Sequence, residues 1–388
     1  MQSGTMVFNQ LNRVIFGKAA AASIVEEANR LGARRVFALS SRTLATKTDE
    51  LSKVRQALGD RFVGYHDHMP SHSPRDAVVA CANAAREVDC DLLLTIGGGS
   101  VTDGGKAVTL CLEYDISDVD GLEPFRTVVE NGVRRFPEYR APTVKQITVP
   151  TTLSAGEFNA RAGVTDTRTQ LKQSYIHPAL VPETIILDPA ATVHTPEWLW
   201  LSSGVRAIDH AVETLCSIDA NDYTDGTSLQ ALRSLKEGLT RVKANPDDLE
   251  GRLKCMMGAW LSMVGVVAGS RLGASHAIGH ILGGSANVPH GYTSCVMLPY
   301  VLDYNQTVNA ERQREVAAAL GQSEAPASTI LDELISGLGM PRQLRDVGVA
   351  ESDLPRLAEN CMLDDWTYSN PRPISTPDQV MEILRKAY

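Results

Sequence analysis

The 388-residue sequence lacks long hydrophobic runs. No stretch approaches the roughly 20 consecutive apolar residues that a membrane-spanning helix needs. Residues 1–10 also lack the basic segment followed by an apolar segment that is typical of an export signal. We therefore expect a cytoplasmic protein with no membrane partner.

An excess of positive charge is also absent, since the sequence has 37 Lys and Arg residues and 46 Asp and Glu residues, which gives a net charge of −9. This balance argues against nucleic acid as a partner and favours a small-molecule ligand. The seven cysteines are scattered without a CxxC pair, so we expect reduced and mostly buried thiols. The length, with 43% hydrophobic residues, is sufficient for two domains of ordinary size.

What the sequence does contain, in its first half, is an alternation of short apolar runs with helical patterns. Strands that are apolar on both faces and separated by helices predict a parallel sheet. The predicted strands are 35–39, 91–96, 146–149 and 184–187, and the predicted helices between the early ones are 19–31 and 74–88. After Pro189 only 3.6-residue periodicity remains. We therefore predict an α/β domain over residues 1–190 and an all-helical domain over residues 191–388.

Two glycine-containing turns follow predicted strands, one at residues 95–106 and one at residues 149–157. Glycines let the backbone approach a phosphate, and the helix that follows offers free N–H groups at its positive end. A plain tight turn would explain three glycines taken alone. Two such turns at the carboxyl ends of parallel strands favour a nucleotide site instead.

A second group of residues, on predicted helices of the second half, suggests a metal site. His210, His276, His280 and His290 have the spacing of histidines that converge from separate helices, which would suit a divalent transition metal. An acidic residue four before His210 would complete the set of ligands. That position holds Arg206.

These motifs resemble the iron-containing alcohol dehydrogenase superfamily, and the resemblance runs in order over essentially the whole chain. The residues that carry it are GGGSVTDGGKAV at 97–108, PTTLSAGE at 150–157, Lys172 ahead of His177 and Pro178, HAIGHILG at 276–283, PHG at 289–291 and NPRPIS at 370–375. The resemblance implies a nucleotide-binding α/β domain, a helical catalytic domain with the active site in the cleft between them, and a homodimer. It also implies an enzyme that oxidises alcohols or reduces carbonyl compounds with a nicotinamide cofactor.

The resemblance also implies roles for individual residues. The cofactor diphosphate would face Gly98, Gly99 and Ser100, and the nicotinamide end would lie near Asp103. Nucleotide and ribose contacts would come from Thr151, Thr152 and Lys172. The family's metal ligands would fall at Arg206, His210, His276 and His290, and His280 would lie beside the reacting carbon.

Arg206 differs from the metal-ligand pattern of the family, because metal-dependent members have Asp at this position. The exchange changes the local charge by two, although His210, His276 and His290 could still hold iron or zinc on their own. Asp209 points about 100° away from His210 on a helix and is a poor substitute ligand. We expect it to neutralise Arg206 at the i, i+3 spacing instead. Whether a divalent metal binds stays open.

The sequence is most similar to the maleylacetate reductase branch, which works without iron. The similarity lies in LSAGEF at 153–158, in Leu282 to Gly284 with Asn287, and in MPSHSP at 69–74. That branch generally has Asn at position 206 and Gly at position 103. We therefore predict a relative that acts on another substrate.

Without a metal, the predicted catalytic residues are Arg206, His210, His276, His280 and His290. Arg206, His276 and His290 would stabilise the charge that hydride transfer builds on a carbonyl oxygen, and His280 or His276 would supply the proton. The planar guanidinium also suits a carboxylate, which favours an oxo acid as substrate. With a metal, the same residues predict an ordinary alcohol or aldehyde dehydrogenase.

Cofactor choice depends on the end of the second predicted strand, where Ser41 and Arg42 replace the acidic residue that would repel a 2′-phosphate. NAD(H) and NADP(H) are both expected.

His72 could line the edge of the cleft, although loop histidines are more often polar surface. Two other functions remain open, a lyase of the dehydroquinate synthase type and a non-catalytic nucleotide-binding relative.

Overall fold

Two compact units make up the chain in the computed structural model, which describes residues 5–130, 133–169 and 171–388. The first unit is Asn9–Thr195, and the second is Pro196–Tyr388 together with residues 5–8. The division falls shortly after the boundary that we predicted at residue 190. The first unit continues to Thr195 because the Thr195 hydroxyl donates to the carbonyl of Thr151 at 2.7 Å and Ala191 packs in the first unit's core.

The first unit is built on a six-stranded parallel sheet with the strand order β1-β10-β7-β4-β2-β3. Two antiparallel hairpins, β5-β6 and β8-β9, lie outside this sheet. The strands are β1 Arg13–Phe16, β2 Val36–Ser40, β3 Phe62–His66, β4 Leu92–Gly97, β5 Val128–Glu130, β6 Val133–Arg135, β7 Lys145–Pro150, β8 Arg161–Asp166, β9 Leu171–Ile176 and β10 Thr184–Leu187.

The four predicted strands are confirmed as β2, β4, β7 and β10. They form the centre of the sheet, where almost every residue is buried on both faces, and this is why they read as continuous apolar runs. The sequence reading missed β1, β3 and the β8-β9 hairpin. Strands β1, β3 and β9 are partly exposed, as Tyr65 in β3 shows with 50% exposure, and they therefore lack such a run. Strand β8 is mostly buried, but its sequence RAGVTD contains no apolar run.

The first unit has five α-helices in its described residues: α1 Ala20–Leu31, α2 Arg42–Lys47, α3 Glu50–Leu58, α4 Arg75–Glu87 and α5 Gly99–Glu113. The predicted helices 19–31 and 74–88 are confirmed as α1 and α4. The chain leaves β2 toward β3 on one side and then returns to place β4 on the other side of β2. Ligands bind outside the carboxyl ends of strands at such a switch point.

The second unit is all-helical in its described residues, as predicted. Its helices are α6 Glu197–Leu215, α7 Asp222–Ala244, α8 Leu249–Val267, α9 Ala274–Ala286, α10 His290–Ala319 with a kink at Asn309, α11 Ala327–Gly337, α12 Leu354–Cys361 and α13 Pro377–Ala387. Helix α6 is buried throughout from Trp200 to Leu215 and packs against α7, α8 and α10. It is the central helix of the unit, so polar residues on it require partners.

All seven cysteines are buried and unpaired, which confirms the expectation of free thiols. Among the described residues, none of the helices combines the length and the apolar character needed to cross a bilayer.

Candidate active site

The first glycine turn joins β4 to the amino end of α5. A Cβ atom on Gly98 would lie 3.0 Å from Thr152 Cγ2, and one on Gly99 would lie 3.0 Å from Ser154 Oγ. Side chains at either position would therefore push the two turns apart. The small residues bring the backbone at the start of a 15-residue helix close to the second turn, which is the arrangement that receives a phosphate.

The second turn follows β7, and hydrogen bonds attach it to the first. The Thr151 amide donates to the Gly97 carbonyl at 2.9 Å, and the hydroxyls of Thr152 and Ser154 lie 3.3 Å apart. Gly98, Gly99, Thr151 and Thr152 thus lie together at the carboxyl ends of β4 and β7. The predicted diphosphate and nucleotide residues are brought together within the first unit.

Asp103, predicted to lie near the nicotinamide end, is held by a buried lysine that the sequence reading missed. The Lys106 ammonium is fully buried and donates to Asp103 Oδ1 at 3.1 Å, to the Gly156 carbonyl at 2.7 Å and to the Arg161 carbonyl at 2.9 Å. These bonds use all three of its protons. The only signal for this role was the i, i+3 spacing from Asp103.

Lys172 and Asp103 approach each other across Gly163. The Gly163 amide donates to Asp103 Oδ2 at 3.1 Å, and a Cβ atom on Gly163 would lie 2.5 Å from Lys172 Cε and 3.4 Å from Asp103 Oδ2.

Ser100 binds the preceding loop, because its hydroxyl accepts from the His72 amide at 3.0 Å. Burial, followed by the charge of Lys172, lowers the pKa of His72. His72 therefore belongs to this group of residues.

Ser41 lies at the end of β2, where its amide donates to the Ile96 carbonyl of the neighbouring β4 at 3.1 Å. Its hydroxyl accepts from the Leu44 amide at 3.4 Å and caps α2. Arg42, the first residue of that helix, is exposed. No carboxylate stands at either of these two positions to repel a phosphate on the adenosine ribose.

The second unit contains the remaining predicted residues, and Arg206 on α6 lies at their centre. Arg206 is 3% exposed, its Nη1 donates to Ser294 Oγ at 3.0 Å, and the same atom lies 3.8 Å from Asp209 Oδ2. The predicted i, i+3 pairing is confirmed. Asp209 Oδ2 also accepts from the hydroxyls of Ser275 at 2.8 Å and Ser294 at 2.6 Å. Burial lowers the pKa of Arg206, and the charge of Asp209 opposes this shift.

His276 on α9 has a carboxylate partner that the sequence reading missed, Glu213 on α6. Its Nδ1 lies 2.8 Å from Glu213 Oε2. The carboxyl group also accepts the backbone N–H groups of Gly273, Ser275 and His276 at 3.0, 2.9 and 3.3 Å, so it caps the start of α9. Burial, followed by the nearby Asp209, raises the pKa of Glu213, whereas the three N–H donors favour its ionised form.

The imidazoles of His210 and His276 stack with their centroids 4.9 Å apart. Burial, followed by the charge of Arg206, holds the pKa of both rings well below the usual range, so both are neutral at pH 7. Four buried atoms of this cluster have no hydrogen-bond partner in the described chain: Arg206 Nε, Asp209 Oδ1, His210 Nδ1 and His276 Nε2. Buried polar atoms without partners are costly, and such a cluster is typical of a place that receives a ligand.

His280, one turn further along α9, pairs with Asp364, which the sequence reading also missed. His280 Nδ1 lies 2.8 Å from Asp364 Oδ2. The ring packs 5.1 Å from the Trp366 ring and lies parallel to His290 at 6.4 Å. Trp366 also contacts His276 at 5.8 Å, so the structure brings all the predicted histidines of this unit into one neighbourhood.

Comparison with known proteins identifies the family. The iron-containing alcohol dehydrogenase profile matches residues 12–189, and the profile of the C-terminal part of the same family matches residues 200–388. The chain belongs to the iron-containing alcohol dehydrogenase family. It is therefore an oxidoreductase.

The relatives of this alcohol dehydrogenase family member include maleylacetate reductases. Maleylacetate reductase 1 of Cupriavidus pinatubonensis is 30% identical over 97% of this chain and 95% of its own length. The dehydrogenase ALT3 of Alternaria alternata is 33% identical over 92% of this chain and 99% of its own. The crystal structure of maleylacetate reductase from Agrobacterium tumefaciens has a TM-score of 0.83 at 27% identity and covers 100% of this chain and 99% of that one. The predicted position near the maleylacetate reductase branch is confirmed.

The iron that the family name implies does not fit the residues of this member. Two groups of three potential metal ligands have their ligand atoms within 4.8 Å of one another among the described residues. One group is Asp209, Glu213 and His276, and the other lies around Glu50. His210, His276 and His290 do not form such a group. Asp209 Oδ2 and both oxygens of Glu213 already accept O–H and N–H donors, and only Asp209 Oδ1 has no such donor. The buried guanidinium adds a full positive charge beside these carboxylates.

Proposed function

We propose that this protein is a nicotinamide-dependent reductase of an oxo acid and that Arg206 takes the electrostatic role of a metal. The observation that carries the proposal is the buried guanidinium of Arg206, bound by Ser294 and Asp209 beside two neutral imidazoles. When bound, the reduced nicotinamide supplies hydride. The protein's own residues then have to bind the substrate, stabilise charge on its oxygen and supply a proton.

Arg206 is suited to stabilise the developing charge. Hydride addition to a carbonyl carbon leaves negative charge on the oxygen, and a donor fixed in a dry site stabilises that charge without reorganisation. Ser294 and Asp209 hold the guanidinium in one position, and its Nε has no protein partner. Removing one such donor typically lowers kcat by about 10²–10³-fold.

The two neutral histidines complete the binding of the substrate. His276 shares its Nδ1 proton with Glu213, so its unpaired Nε2 is an acceptor. His210 stacks on His276 and offers Nδ1 in the same buried region. A hydroxyl or an enol on the substrate matches the Nε2 acceptor of His276, while a carboxylate or carbonyl oxygen matches Arg206.

A carboxylated substrate follows from the fork geometry of the guanidinium, which binds carboxylates in a planar arrangement. The names of several relatives state activity on maleylacetate, an oxo acid. Arg206 and Asp103 distinguish this chain from the pattern that we expect in that branch. We therefore assign the class of substrate and not maleylacetate itself.

The first unit would hold the cofactor. Gly98, Gly99 and Ser100 would receive the diphosphate, and Asp103 and Lys172 would lie toward the nicotinamide and ribose. Ser41 and Arg42 carry no negative charge, so NADP(H) as well as NAD(H) can be accepted.

Elemental analysis of the purified protein tests the proposal when it is combined with NADH and NADPH oxidation on a panel of oxo acids and aldehydes, before and after chelation. We expect turnover of an oxo acid that needs no stoichiometric metal and survives chelation. Stoichiometric iron or zinc with chelator-sensitive aldehyde reduction would replace the proposal with a metal-dependent dehydrogenase that uses His210, His276 and His290. NADH binding without turnover of any carbonyl compound would indicate a non-catalytic relative.

The variant Arg206→Asp provides a second test, because it restores the acidic residue expected of metal-dependent members. We expect higher metal affinity and lower activity on oxo acids. Arg206→Lys is the matched control, since it keeps the charge and removes the planar fork. Unchanged metal content and kinetics in both variants would exclude a role for Arg206.

A further inference from the structure

We infer that Asp364 is the positioning residue of His280, and that this pair, not His276 with Glu213, delivers the proton to the substrate oxygen. The inference rests on the proposed function and names the acid of that reaction. It follows from the geometry of two histidine–carboxylate pairs that lie on successive turns of α9.

Asp364 is fixed through both of its oxygens. Oδ2 lies 2.8 Å from His280 Nδ1, and Oδ1 accepts the Trp366 amide at 3.0 Å and caps the 3-10 turn Asp365–Ser369. The indole of Trp366 packs against the His280 ring at 5.1 Å. The carboxylate therefore cannot rotate away from the imidazole without breaking the cap, and the ring is held in one orientation.

The partner also decides which nitrogen carries the proton. A carboxylate only accepts hydrogen bonds, so Nδ1 of His280 is the donor toward Asp364. Proton exchange by this imidazole must then pass through Nε2.

Burial distinguishes the two pairs. The side chain of His276 is 1% exposed, and its partner Glu213 is committed to three backbone N–H groups at the start of α9. The side chain of His280 is 32% exposed and that of Asp364 is 18% exposed. An acid must recover its proton from solvent after each turnover, and of these two paired imidazoles the His280 ring is the one with that access. His276 is therefore assigned to binding.

The carbonyl carbon gains hydride as the reduced nicotinamide becomes oxidised, and the C=O π electrons move to the oxygen. The oxygen takes the proton on Nε2 of the His280 imidazolium. The ring is left neutral with its Nδ1 proton still donated to Asp364, and solvent returns the proton to Nε2.

The variant Asp364→Asn tests the inference in the full-length protein. An Asn keeps an oxygen for the Trp366 amide, whereas its amide N–H donates to His280 Nδ1 and forces the neutral tautomer with the proton on Nε2. We expect kcat on the oxo acid to fall at least about 100-fold. The KM values for cofactor and substrate should stay within about threefold, since neither residue is assigned to binding. Asp365→Asn, at the exposed neighbouring position, is the matched control and should retain wild-type kcat.

A double variant separates positioning from folding. His280→Gln alone should lower kcat about as much as Asp364→Asn, and the two together should cause no further loss, because Asp364 acts only through His280. Losses that multiply in the double variant, or wild-type kcat in Asp364→Asn, would overturn the inference.

A spectroscopic measurement does not depend on activity. In protein labelled with 15N-histidine, the His280 signals are assigned by their loss in His280→Gln and recorded at alkaline pH, where the ring is neutral. We expect the proton on Nδ1 in the wild type and on Nε2 in Asp364→Asn. The same tautomer in both proteins would overturn the inference. Absence of turnover in the wild type would instead reject the proposed function, and the tautomer would still decide the role of Asp364.

Discussion

Replacing Arg206 with methionine would remove a buried positive charge while keeping a long side chain on α6. Asp209 would keep the hydroxyls of Ser275 and Ser294 but would face no cation. Removing one partner of a buried ion pair costs about 3–5 kcal/mol, and the 3.8 Å separation places this pair near the lower value. At about 2–4 °C per kcal/mol for units of this size, a loss of about 3 kcal/mol lowers the melting temperature by roughly 6–12 °C.

The same variant should lose activity through a different effect. Without the guanidinium, the oxygen of the substrate would develop its charge beside neutral imidazoles only. We expect kcat on the oxo acid to fall by about 10²–10³-fold, measured well below the melting temperature of the variant so that the protein is folded. Melting followed by circular dichroism and oxidation of NADH or NADPH followed by absorbance provide the two numbers.

The double variant Arg206→Met with Asp209→Asn separates the two effects. It removes both charges, and the amide oxygen of Asn still accepts from Ser275 and Ser294. Removing both partners of a buried pair is often close to neutral, so stability should recover to within about 1 kcal/mol of the wild type. Activity should remain low. Recovery of kcat together with stability would show that Arg206 serves folding alone and would refute its electrostatic role.

Three further changes test other parts of the protein. Gly98→Ala places a Cβ atom 3.0 Å from Thr152 and should raise the Kd for NADH or NADPH at least about tenfold. The control is Gly226→Ala, where a Cβ atom meets nothing within 4 Å, and this variant should leave the Kd unchanged. Arg42→Asp should raise the KM for NADPH about tenfold or more and spare NADH, because it removes a charge-assisted contact to the 2′-phosphate; equal changes for both cofactors would contradict this role. Burial raises the pKa of Glu157 to about 7, so the folded state binds an extra proton between the unfolded and folded pKa values. The wild type should therefore lose roughly 2.5 kcal/mol of stability as pH rises from 5 to 8. Glu157→Gln should lack this loss in urea unfolding, and an equal pH dependence in both proteins would exclude Glu157 as its source.

Several parts of the fold and site could be predicted because they depend on local patterns. The central strands are apolar on both faces, so β2, β4, β7 and β10 are visible as runs. The glycine turns directly follow strands, and helical spacing alone places Asp209 within reach of Arg206. Strands of mixed burial, such as β1 and β3, have no comparable signal and were missed.

The partners of the site residues depend on packing between distant segments. Lys106 binds carbonyl groups at Gly156 and Arg161, 50 and 55 residues away, and His280 binds Asp364 at a separation of 84 residues. The sequence does not show which imidazole a given Asp or Glu will contact in the folded protein. The histidine roles therefore could not be divided between proton transfer and binding from the sequence.

The sequence by itself determined the alternation of buried strands and helices, the two glycine turns and the presence of Arg206 among the histidines, because each is a matter of composition at a fixed spacing. Only the tertiary structure decided that Ser294 and Asp209 hold the guanidinium, that Glu213 caps α9 beside His276, and that Asp364 orients His280. These contacts form when separate helices pack, and burial then decides which polar atoms remain without a partner.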